Sequence, residues 1–392
     1  MKSERMLKTI GISSVPEGWA WKRIDECFDI IKRRNDNNSE NVLTISSLSG
    51  FVNQKERFSK VIAGENLKKY TLLRKGEFSY NKGNSKTFPC GCIFLLEDYE
   101  EAAVPNVYIS FKSKNEISNR FYRYYFQNRL LDGQLKRLIN TGVRNDGLLN
   151  INTDEFCSVY ILVPSIKEQE KIAEIILSWD LAIEKQEQLI EKKKEFKKGL
   201  LQRLLSREVR FKEFKDEWIS VKLKELAEIY QPKTITSSDL KTSGFPVYGA
   251  NGVIGYYDKY NHEKEQIAIT CRGSSCGTVN MTVKKAWITG NSMVVNVDNN
   301  NFINKLFMYY CCKNEDFSKI ISGSGQPQIT RNPLANYIIS IPQNLEEQLK
   351  ISGVLESADK EIELLEKELE ALKLQKKGLM QRLLTGEVRV KV

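Results

Sequence analysis

Few residues of this chain have the types and spacing that catalysis requires. Histidine occurs once, at His262, which nearly excludes a catalytic triad or a histidine-ligated metal site. The Gly-x-x-x-x-Gly-Lys-Ser/Thr motif that cradles phosphates is absent. The Asp/Asn-Pro-Pro-aromatic motif of amino-methyltransferases and the Pro-Asp dipeptide of many nuclease sites are absent too. The sequence therefore predicts no catalytic, cofactor-binding or metal-binding residue, and it favours a protein that binds.

The eight cysteines are the remaining candidates for metal chemistry. Cys90-x-Cys92 and Cys271-x4-Cys276 could supply four thiolates, but they lie in different halves of the chain, and Cys-x-Cys is not the usual zinc-ribbon spacing. The start of the chain has scattered charges, and no stretch approaches the roughly 18 apolar residues of a membrane span. We therefore expect free thiols in a reducing cytoplasm and no membrane association.

Polar residues in glycine-rich loops suit a different task, the recognition of nucleic acid. Asn, Gln and Arg side chains make paired hydrogen bonds to base edges, and glycine lets the backbone approach phosphates. In the second half of the chain such loops occupy residues 248–252, 269–275, 290–292 and 323–331. The predicted DNA-contacting residues there are Tyr248, Asn251, Arg272, Ser274, Ser275, Asn291, Ser292, Gln326, Gln328, Thr330 and Arg331.

The first half has counterparts of these loops at residues 80–87 and 141–147. Taken alone, each loop is better explained as an ordinary surface turn. Their recurrence in both halves and the formal net charge of +10 favour DNA as the partner, although that charge alone also fits a merely basic protein. The predicted DNA-contacting residues in this half are Tyr80, Asn81, Lys82, Ser85, Lys86, Thr87, Thr141, Arg144 and Asn145.

The elements that must position these loops are repeated. Residues 197–205 (KKGLLQRLL) return as residues 376–384 (KKGLMQRLL), at an offset of 179 residues. At the same offset, Glu-Val-Arg follows both copies at 208–210 and 387–389, and Glu-Gln precedes them at 168–169 and 347–348. This period is too long for a solenoid repeat. The chain is therefore predicted to have two halves, each a distinct block followed by a similar helix.

Apolar residues in both repeats alternate spacings of four and three, which is the a/d seam of a coiled coil. Gln186, Lys193 and Lys197 interrupt the first copy, and Lys376 alone interrupts the second. A helix of about 40 residues is about 60 Å long, and antiparallel pairing would place one block at each end of the pair. The predicted seam residues are Ile172, Ile176, Trp179, Ile183, Ile190, Leu200 and Leu204, then Ile351, Leu355, Ala358, Ile362, Leu365, Leu369, Leu372, Leu379 and Leu383.

Local patterns divide the chain into a leader (1–14), a first block (15–164), a central helix (165–207), a second block (208–342) and a C-terminal helix (343–392). Both blocks open with a Trp-led amphipathic segment, at Trp19 and Trp218, predicted to be a short helix. Further helices are predicted over 121–138 and 304–312. The predicted strands span 42–45, 92–96, 104–111, 159–163, 266–270, 293–297 and 338–341.

This combination resembles the specificity subunit of type I restriction–modification systems. The resemblance rests on two blocks that each close with a strand ending at Pro164 or Pro342, on the long helix that follows each, and on the Lys-Lys-Gly-Leu-Leu/Met-Gln-Arg-Leu-Leu and Glu-Val-Arg ending. Residues 246–258 (PVYGANGVIGYYD) and 323–329 are similar to that family's target recognition domains. The resemblance covers nearly the whole chain, although the first block lacks the Gly-Ala-Asn-Gly loop of the second.

The resemblance implies an α+β fold. Two globular α/β target recognition domains (15–164 and 208–342) would be separated by two long antiparallel coiled-coil helices, with an internal pseudo-twofold repeat. Each domain would read one half of a bipartite double-stranded DNA site, and the helices would set the spacing. Two modification (methyltransferase) subunits and restriction (translocase/nuclease) subunits would assemble on the chain. The chain itself would be non-catalytic, and S-adenosylmethionine, ATP and Mg²⁺ would be bound by those partner subunits.

Two other interpretations stay open from the sequence. A basic coiled-coil adaptor would share the helices and the charge, but it would bind no DNA sequence specifically and would not need polar loops. A nuclease with an unrecognised site would cut DNA on its own in the presence of Mg²⁺.

Overall fold

The computed structural model describes residues 7, 13–36, 39–47, 49–58, 64–83, 87–139, 149–250, 252–323 and 325–392. The chain divides into two compact units. Unit 1 comprises Met1–Lys185 with Leu369–Val392, and unit 2 comprises Gln186–Glu368. Each unit therefore contains one of the two blocks and a segment of each long helix.

The block of unit 1 is built from antiparallel strands and short helices. Its strands are β1 (Ala20–Arg23), β2 (Phe28–Ile30), β3 (Leu43–Ser46), β4 (Gly50–Asn53), β5 (Thr71–Arg74), β6 (Phe78–Asn81), β7 (Cys92–Leu95), β8 (Glu101–Val104), β9 (Ile109–Ser113) and β10 (Tyr160–Val163). Its helices are α1 (Ile24–Cys27), α2 (Gln54–Phe58), α3 (Asn119–Gln127), α4 (Asp132–Leu138) and α5 (Thr153–Cys157), with a 3₁₀ turn at Gly64–Lys69. The sheet orders are β2-β9-β6-β7, β1-β10, β3-β4 and β5-β8.

Aromatic rings form the core of this block. Phe28, Phe78, Phe111 and Phe126 are all buried, and their ring centroids lie 5.2–5.9 Å apart, mostly edge to face. Such pairs add about 0.5–1.5 kcal/mol each beyond their buried area. Because Phe126 belongs to α3 and the other three to the four-stranded sheet, this cluster holds α3 against the sheet.

The block of unit 2 has a different sheet topology. After α6 (Ile166–Leu205), its strands are β11 (Ile219–Lys222), β12 (Glu228–Tyr230), β13 (Phe245–Gly249), β14 (Gly252–Tyr257), β15 (Ile267–Thr270), β16 (Val279–Met281), β17 (Trp287–Ile288), β18 (Ser292–Asn296) and β19 (Ile338–Ile341). Its helices are α7 (Leu223–Leu226), α8 (Lys305–Asn314) and α9 (Arg331–Ala335), with 3₁₀ turns at Ser237–Asp239 and Phe317–Ile320. The sheet orders are β12-β18-β15-β16, β14-β13-β17 and β11-β19, and β13 and β17 pair in parallel.

The long helices confirm the coiled-coil prediction. Helix α6 and α10 (Leu345–Leu384) are 40 residues each, and every predicted seam residue is buried or half-buried. Within each unit the segments of the two helices run antiparallel. As the residue number rises along α6, the number of the residue that it pairs with falls. The ion pairs that show this are Glu168–Arg389 and Asp180–Lys376 in unit 1, and Lys193–Glu361 and Lys197–Asp359 in unit 2. Neither these helices nor any other in the described residues is long and apolar enough to cross a membrane.

Three local predictions are wrong in detail. The strand predicted over 104–111 is two strands, because Tyr108 N–H donates to Pro105 O at 3.0 Å and closes a turn between β8 and β9. The helix predicted over 121–138 is split into α3 and α4 by Arg129, whose φ is +62°. Trp19 and Trp218 lead into strands β1 and β11, and only four-residue helices follow.

A buried glutamate anchors the block of unit 1 to its helix segments. The side chain of Glu168, at the start of α6, is 4% exposed. It accepts a hydrogen bond from Trp19 Nε1 at 2.9 Å and two from Arg389, at 2.7 and 3.0 Å. Arg389 also donates to Glu17 O at 2.6 Å, so the residues after α10 bind the first turn of the block.

Unit 2 repeats this anchor with the equivalent residues. Glu347 of α10 accepts hydrogen bonds from Trp218 Nε1 at 3.2 Å and from Arg210 at 2.7 and 2.9 Å, and its side chain is fully buried. Arg210 also donates to Asp216 O at 2.6 Å. Paired, hydrogen-bonded burial is what a carboxylate needs to stay charged away from water. This explains why the glutamate of Glu-Gln and the arginine of Glu-Val-Arg recur at the 179-residue offset.

Candidate nucleic-acid interface

Main-chain hydrogen bonds bring the predicted DNA-reading loops of unit 2 together. Gly273 N–H donates to Pro327 O and Ile329 N–H to Cys271 O, both at 3.0 Å, so the loop after β15 pairs with residues 327–329. Cys271 N–H donates to Asn291 O at 2.8 Å, which adds the loop before β18. Segments that are distant in sequence therefore form one surface.

Glycine is required at two positions of this surface. Gly323 has a φ of +91°, and a Cβ there would lie 2.5 Å from Gln326 O. A Cβ on Gly290 would lie 2.4 Å from Thr234 Oγ1 and 2.9 Å from Pro232 O. The β13–β14 turn joins the same surface, because the Thr270 hydroxyl donates to Ala250 O. A side chain at Gly323 would therefore clash within its own loop, and one at Gly290 would clash with the segment at residues 232–234.

Most of the predicted contacts of unit 2 are available to a ligand. Arg272 and Gln328 are tied together by a main-chain bridge. Neither Arg272 nor Arg331 forms an ion pair with a carboxylate within the described part of the chain, so both guanidinium groups can bind an anion. The exposed predicted residues are Arg272, Ser274, Gln326, Gln328, Thr330 and Arg331, and the half-buried ones are Ser275 and Asn291.

The structure removes Tyr248 and Ser292 from this set. Tyr248 is 8% exposed, and its hydroxyl accepts a hydrogen bond from Val283 N–H at 3.2 Å. Ser292 is 1% exposed and donates to Gly249 O at 3.4 Å. Both side chains hold the loops in place, and neither presents a surface to a base. Asn251 lies outside the described residues.

In unit 1 the predicted contacts on β6 are structural. Tyr80 is fully buried, donates to Cys90 O at 2.7 Å and stacks on Phe156, so its side chain presents no surface to DNA. Asn81 is half-buried and donates to Ile45 O at 3.1 Å. Lys82 is half-buried, and its ammonium donates to Ile151 O at 3.3 Å. Thr87 is exposed, whereas Ser85, Lys86, Thr141, Arg144 and Asn145 lie outside the described residues.

Arg129 is a residue of this region that the sequence did not single out. It donates to Asp132 Oδ2 at 2.5 and 2.8 Å and to Thr87 O at 3.0 Å, and its guanidinium lies 5.5 Å from the ring centre of Phe88. A left-handed φ on a non-glycine residue costs energy and often marks a functional position. Arg129 lines a half-open cavity of about 280 Å³ together with Phe88, Phe94 and Gln127. No feature of the sequence indicated the positive φ of Arg129.

The only histidine is held in its neutral form. Asn261 Oδ1 can only accept, so His262 Nδ1 must donate to it at 2.6 Å, and Nε2 accepts from the Tyr230 hydroxyl at 2.8 Å. Burial lowers the pKa of His262, and the nearby Asp298 charge opposes this in part. The His262 side chain therefore has a structural role in the packing of β12.

The cysteines are protonated thiols at neutral pH. Burial raises the pKa of Cys90 and Cys271, that of Cys92 to about 11, and that of Cys312 to about 12. Thiolate is the form that attacks and that binds metals. Among the residues that the structure describes, no three His, Cys, Asp or Glu side chains are grouped so that they could hold a metal ion.

Comparison with known proteins identifies related chains. Residues 16–192 and 215–374 match the family model of the type I restriction modification DNA specificity domain. The type I restriction enzyme MjaVIII specificity subunit of Methanocaldococcus jannaschii is 26% identical over 323 residues, covering 72% of this chain and 73% of that protein. The putative MjaX specificity subunit of the same organism is 24% identical, covering 100% and 98%.

Solved structures share the fold. The S subunit of the type I restriction–modification system from M. genitalium has a TM-score of 0.57 at 17% identity, covering 95% of this chain and 99% of that one. The HsdS subunit of Thermoanaerobacter tengcongensis has a TM-score of 0.54 at 15% identity, covering 96% and 99%.

Proposed function

Because the chain belongs to the type I restriction–modification DNA specificity family, we propose that it reads a bipartite double-stranded DNA target, one half-site with the block of each unit. The observation that carries this proposal is the surface that several loops of unit 2 form together. Hydrogen-bonded loops there expose two arginines and two glutamines, Arg272, Arg331, Gln326 and Gln328, with no carboxylate paired to either arginine in the described residues.

Each of these groups has a distinct partner on DNA. A glutamine amide can pair with the N6 and N7 edge of adenine, and a guanidinium with O6 and N7 of guanine. The hydroxyls of Ser274 and Thr330 and the main chain at Gly273 suit phosphate oxygens, which position a protein without reading sequence. Side chains for base reading and for phosphate binding are thus present on one surface.

The chain supplies recognition in this proposal, and its partners supply chemistry. Two modification (methyltransferase) subunits and, for cleavage, restriction subunits bind the chain. S-adenosylmethionine, ATP and Mg²⁺ are cofactors of those subunits. The neutral His262, the protonated thiols and the missing catalytic motifs support a non-catalytic role for this chain.

Mapping of methylated adenines tests the proposal. The chain is expressed with its modification subunit, and genomic DNA is sequenced for methylation. We expect one motif made of two defined half-sites and a spacer of fixed length. Methylation without a sequence motif would favour the adaptor interpretation. Cleavage of DNA by the purified chain alone with Mg²⁺ would favour the nuclease interpretation.

The salt dependence of binding gives a second measurement. Each phosphate neutralised by Lys or Arg releases a counterion, so affinity for duplex DNA falls steeply with salt, by about 10³–10⁵-fold between 50 and 200 mM for 6–10 phosphate contacts. We expect such a steep slope for the complex of this chain with its modification subunits, measured by fluorescence anisotropy on the mapped target. A flat salt dependence would contradict DNA as the partner.

A further inference from the structure

In each unit a helix of the block is attached to a long helix at two points. The first point in unit 1 is Gln169 of α6, which is fully buried. Its side-chain oxygen accepts from the N–H of Ser118, the N-cap of α3, at 2.8 Å. Its amide nitrogen donates to Glu116 O at 3.1 Å and to Pro164 O at 2.9 Å. Because all three partners are main-chain groups, Gln169 fixes the start of α3 whatever side chains the block carries.

Unit 2 has the same contact. Gln348 of α10 is fully buried, and its oxygen accepts from the N–H of Asn304, the N-cap of α8, at 2.8 Å. Its amide nitrogen donates to Phe302 O at 3.0 Å and to Pro342 O at 2.9 Å.

The second point is a tyrosine–aspartate hydrogen bond. The hydroxyl of Tyr124 donates to Asp180 Oδ2, and that of Tyr310 donates to Asp359 Oδ2, each at 2.7 Å. Each tyrosine is six residues after its N-cap, and each aspartate is eleven residues after its glutamine. Residues 119–127 and 305–313 are identical at only two of nine positions, and this tyrosine is one of them. Burial and the neighbouring carboxylate raise the pKa of both tyrosines, so both hydroxyls remain donors.

A lysine from the antiparallel helix completes each group. Lys376 of α10 pairs with Asp180, and its ammonium lies 6.0 Å from the ring centre of Tyr124. Lys197 of α6 pairs with Asp359 and lies 5.7 Å from the ring centre of Tyr310. These lysines are two of the residues that interrupt the apolar seam. Their side chains are only 21% and 12% exposed, so each ammonium needs a nearby counter-charge.

A change of register would break both groups. In an antiparallel pair, a slip of one heptad in either direction would place Leu369 or Leu383 opposite Asp180. The residues that would face Asp359 are Ile190 and Leu204. A polar residue in a coiled-coil seam specifies register in this way, at some loss of stability.

We propose that Asp180 and Asp359 are positioning residues that determine the spacing of the DNA target from outside the reading loops. Each carboxylate binds a tyrosine of the block and a lysine of the opposite helix. It therefore fixes the orientation of the block and the register of the helix segments together. Resting on the function proposed above, this makes the chain accept one spacer length between the half-sites.

The test uses unit 2 in the complex with the modification subunit, where two neighbours provide matched controls. The variants are Asp359→Asn, Lys197→Met and Tyr310→Phe, and the controls are Tyr309→Phe and Lys198→Met. Tyr310→Phe removes a single oxygen atom, so we expect the variant protein to fold. Circular dichroism checks this. Methylation is measured on plasmids that carry both half-sites with the native spacer and with spacers one base pair shorter or longer.

We expect Asp359→Asn and Lys197→Met to raise methylation of the altered spacers relative to the native one by about three- to tenfold, with unchanged bases in both half-sites. Tyr310→Phe shifts the ratio in the same direction by less. Lys197→Arg and both controls keep the native profile. Equal loss at all spacers, or a native profile in every variant, overturns this inference. A wild-type complex that methylates no motif overturns the proposed function itself.

Discussion

The blocks of the two units are alike where they contact the long helices and different where they are proposed to contact DNA. The anchors Trp19–Glu168–Arg389 and Trp218–Glu347–Arg210 have the same bonds. The sheets, by contrast, have different strand orders, and among the described residues a three-stranded sheet with a parallel pair of strands occurs in unit 2 alone. The helix-facing contacts use repeated side chains and main-chain groups, so they place no demand on the rest of a block. This difference indicates how one scaffold can carry unrelated reading surfaces.

The largest predicted effect is the loss of stability that follows when the arginine of an anchor is removed. Arg210→Ala leaves the fully buried Glu347 carboxylate without its cation and with Trp218 Nε1 as its remaining anchor donor, so it should be the most destabilising of these variants. Arg389→Ala should cost less, because Arg389 is 43% exposed and water can replace part of the lost contact. Thermal and urea unfolding measure both. The controls are Arg203→Ala and Arg382→Ala, whose exposed ion pairs should contribute at most about 1 kcal/mol. Equal effects in all four variants would refute the anchor's role.

A change in the reading surface should affect DNA recognition in unit 2 alone. Arg272→Ala removes an exposed guanidinium without removing a described ion pair, so the fold should persist. We expect about 1–3 kcal/mol less discrimination at one base position of a single half-site, or roughly 5- to 150-fold. Methylation mapping measures this, and Lys224→Ala, an exposed lysine on α7, is the charge-matched control. Relaxation of both half-sites would contradict independent reading by the two blocks.

Mild acid should produce the smallest difference, through the chain's single histidine, which lies in unit 2. The pKa of His262 is lowered in the folded state, so its contribution to stability is complete above the unfolded value of about 6.5. That contribution is lost as the pH falls through the folded pKa, when Nε2 gains a proton and can no longer accept the hydrogen bond from the Tyr230 hydroxyl. Asp298 is the charge that opposes this loss. Hydrogen exchange at pH 7.5 and 5.5 should show faster exchange in β12 and β18, and His262→Gln should remove the pH effect.

The sequence by itself determined the helices and the repeat. Seam periodicity and helix length are local properties, because residues three and four apart share a helix face whatever the rest of the chain does. The strands at 159–163 and 338–341 were predicted from local apolar runs that end at a proline. Antiparallel pairing of the helix segments was predicted from chain order, because each block precedes its own helix. The glycine-rich, Arg- and Gln-bearing loops of unit 2 were recognised from composition alone.

The tertiary structure decided which of those loop residues reach the surface and which loops meet. Tyr80, Ser292 and Arg272 come from three stretches that were all predicted to contact DNA. The burial of Tyr80 and Ser292 depends on packing against Phe156 and Gly249, which no local pattern encodes. The surface of unit 2 depends on bonds such as Gly273 N–H to Pro327 O, between residues more than fifty positions apart. In the sequence, Lys197 and Lys376 only interrupt the apolar seam. In the structure each pairs with an aspartate of the opposite helix, Asp359 or Asp180. Hydrogen bonds and burial between distant segments depend on the completed fold, so periodicity and composition could not predict them.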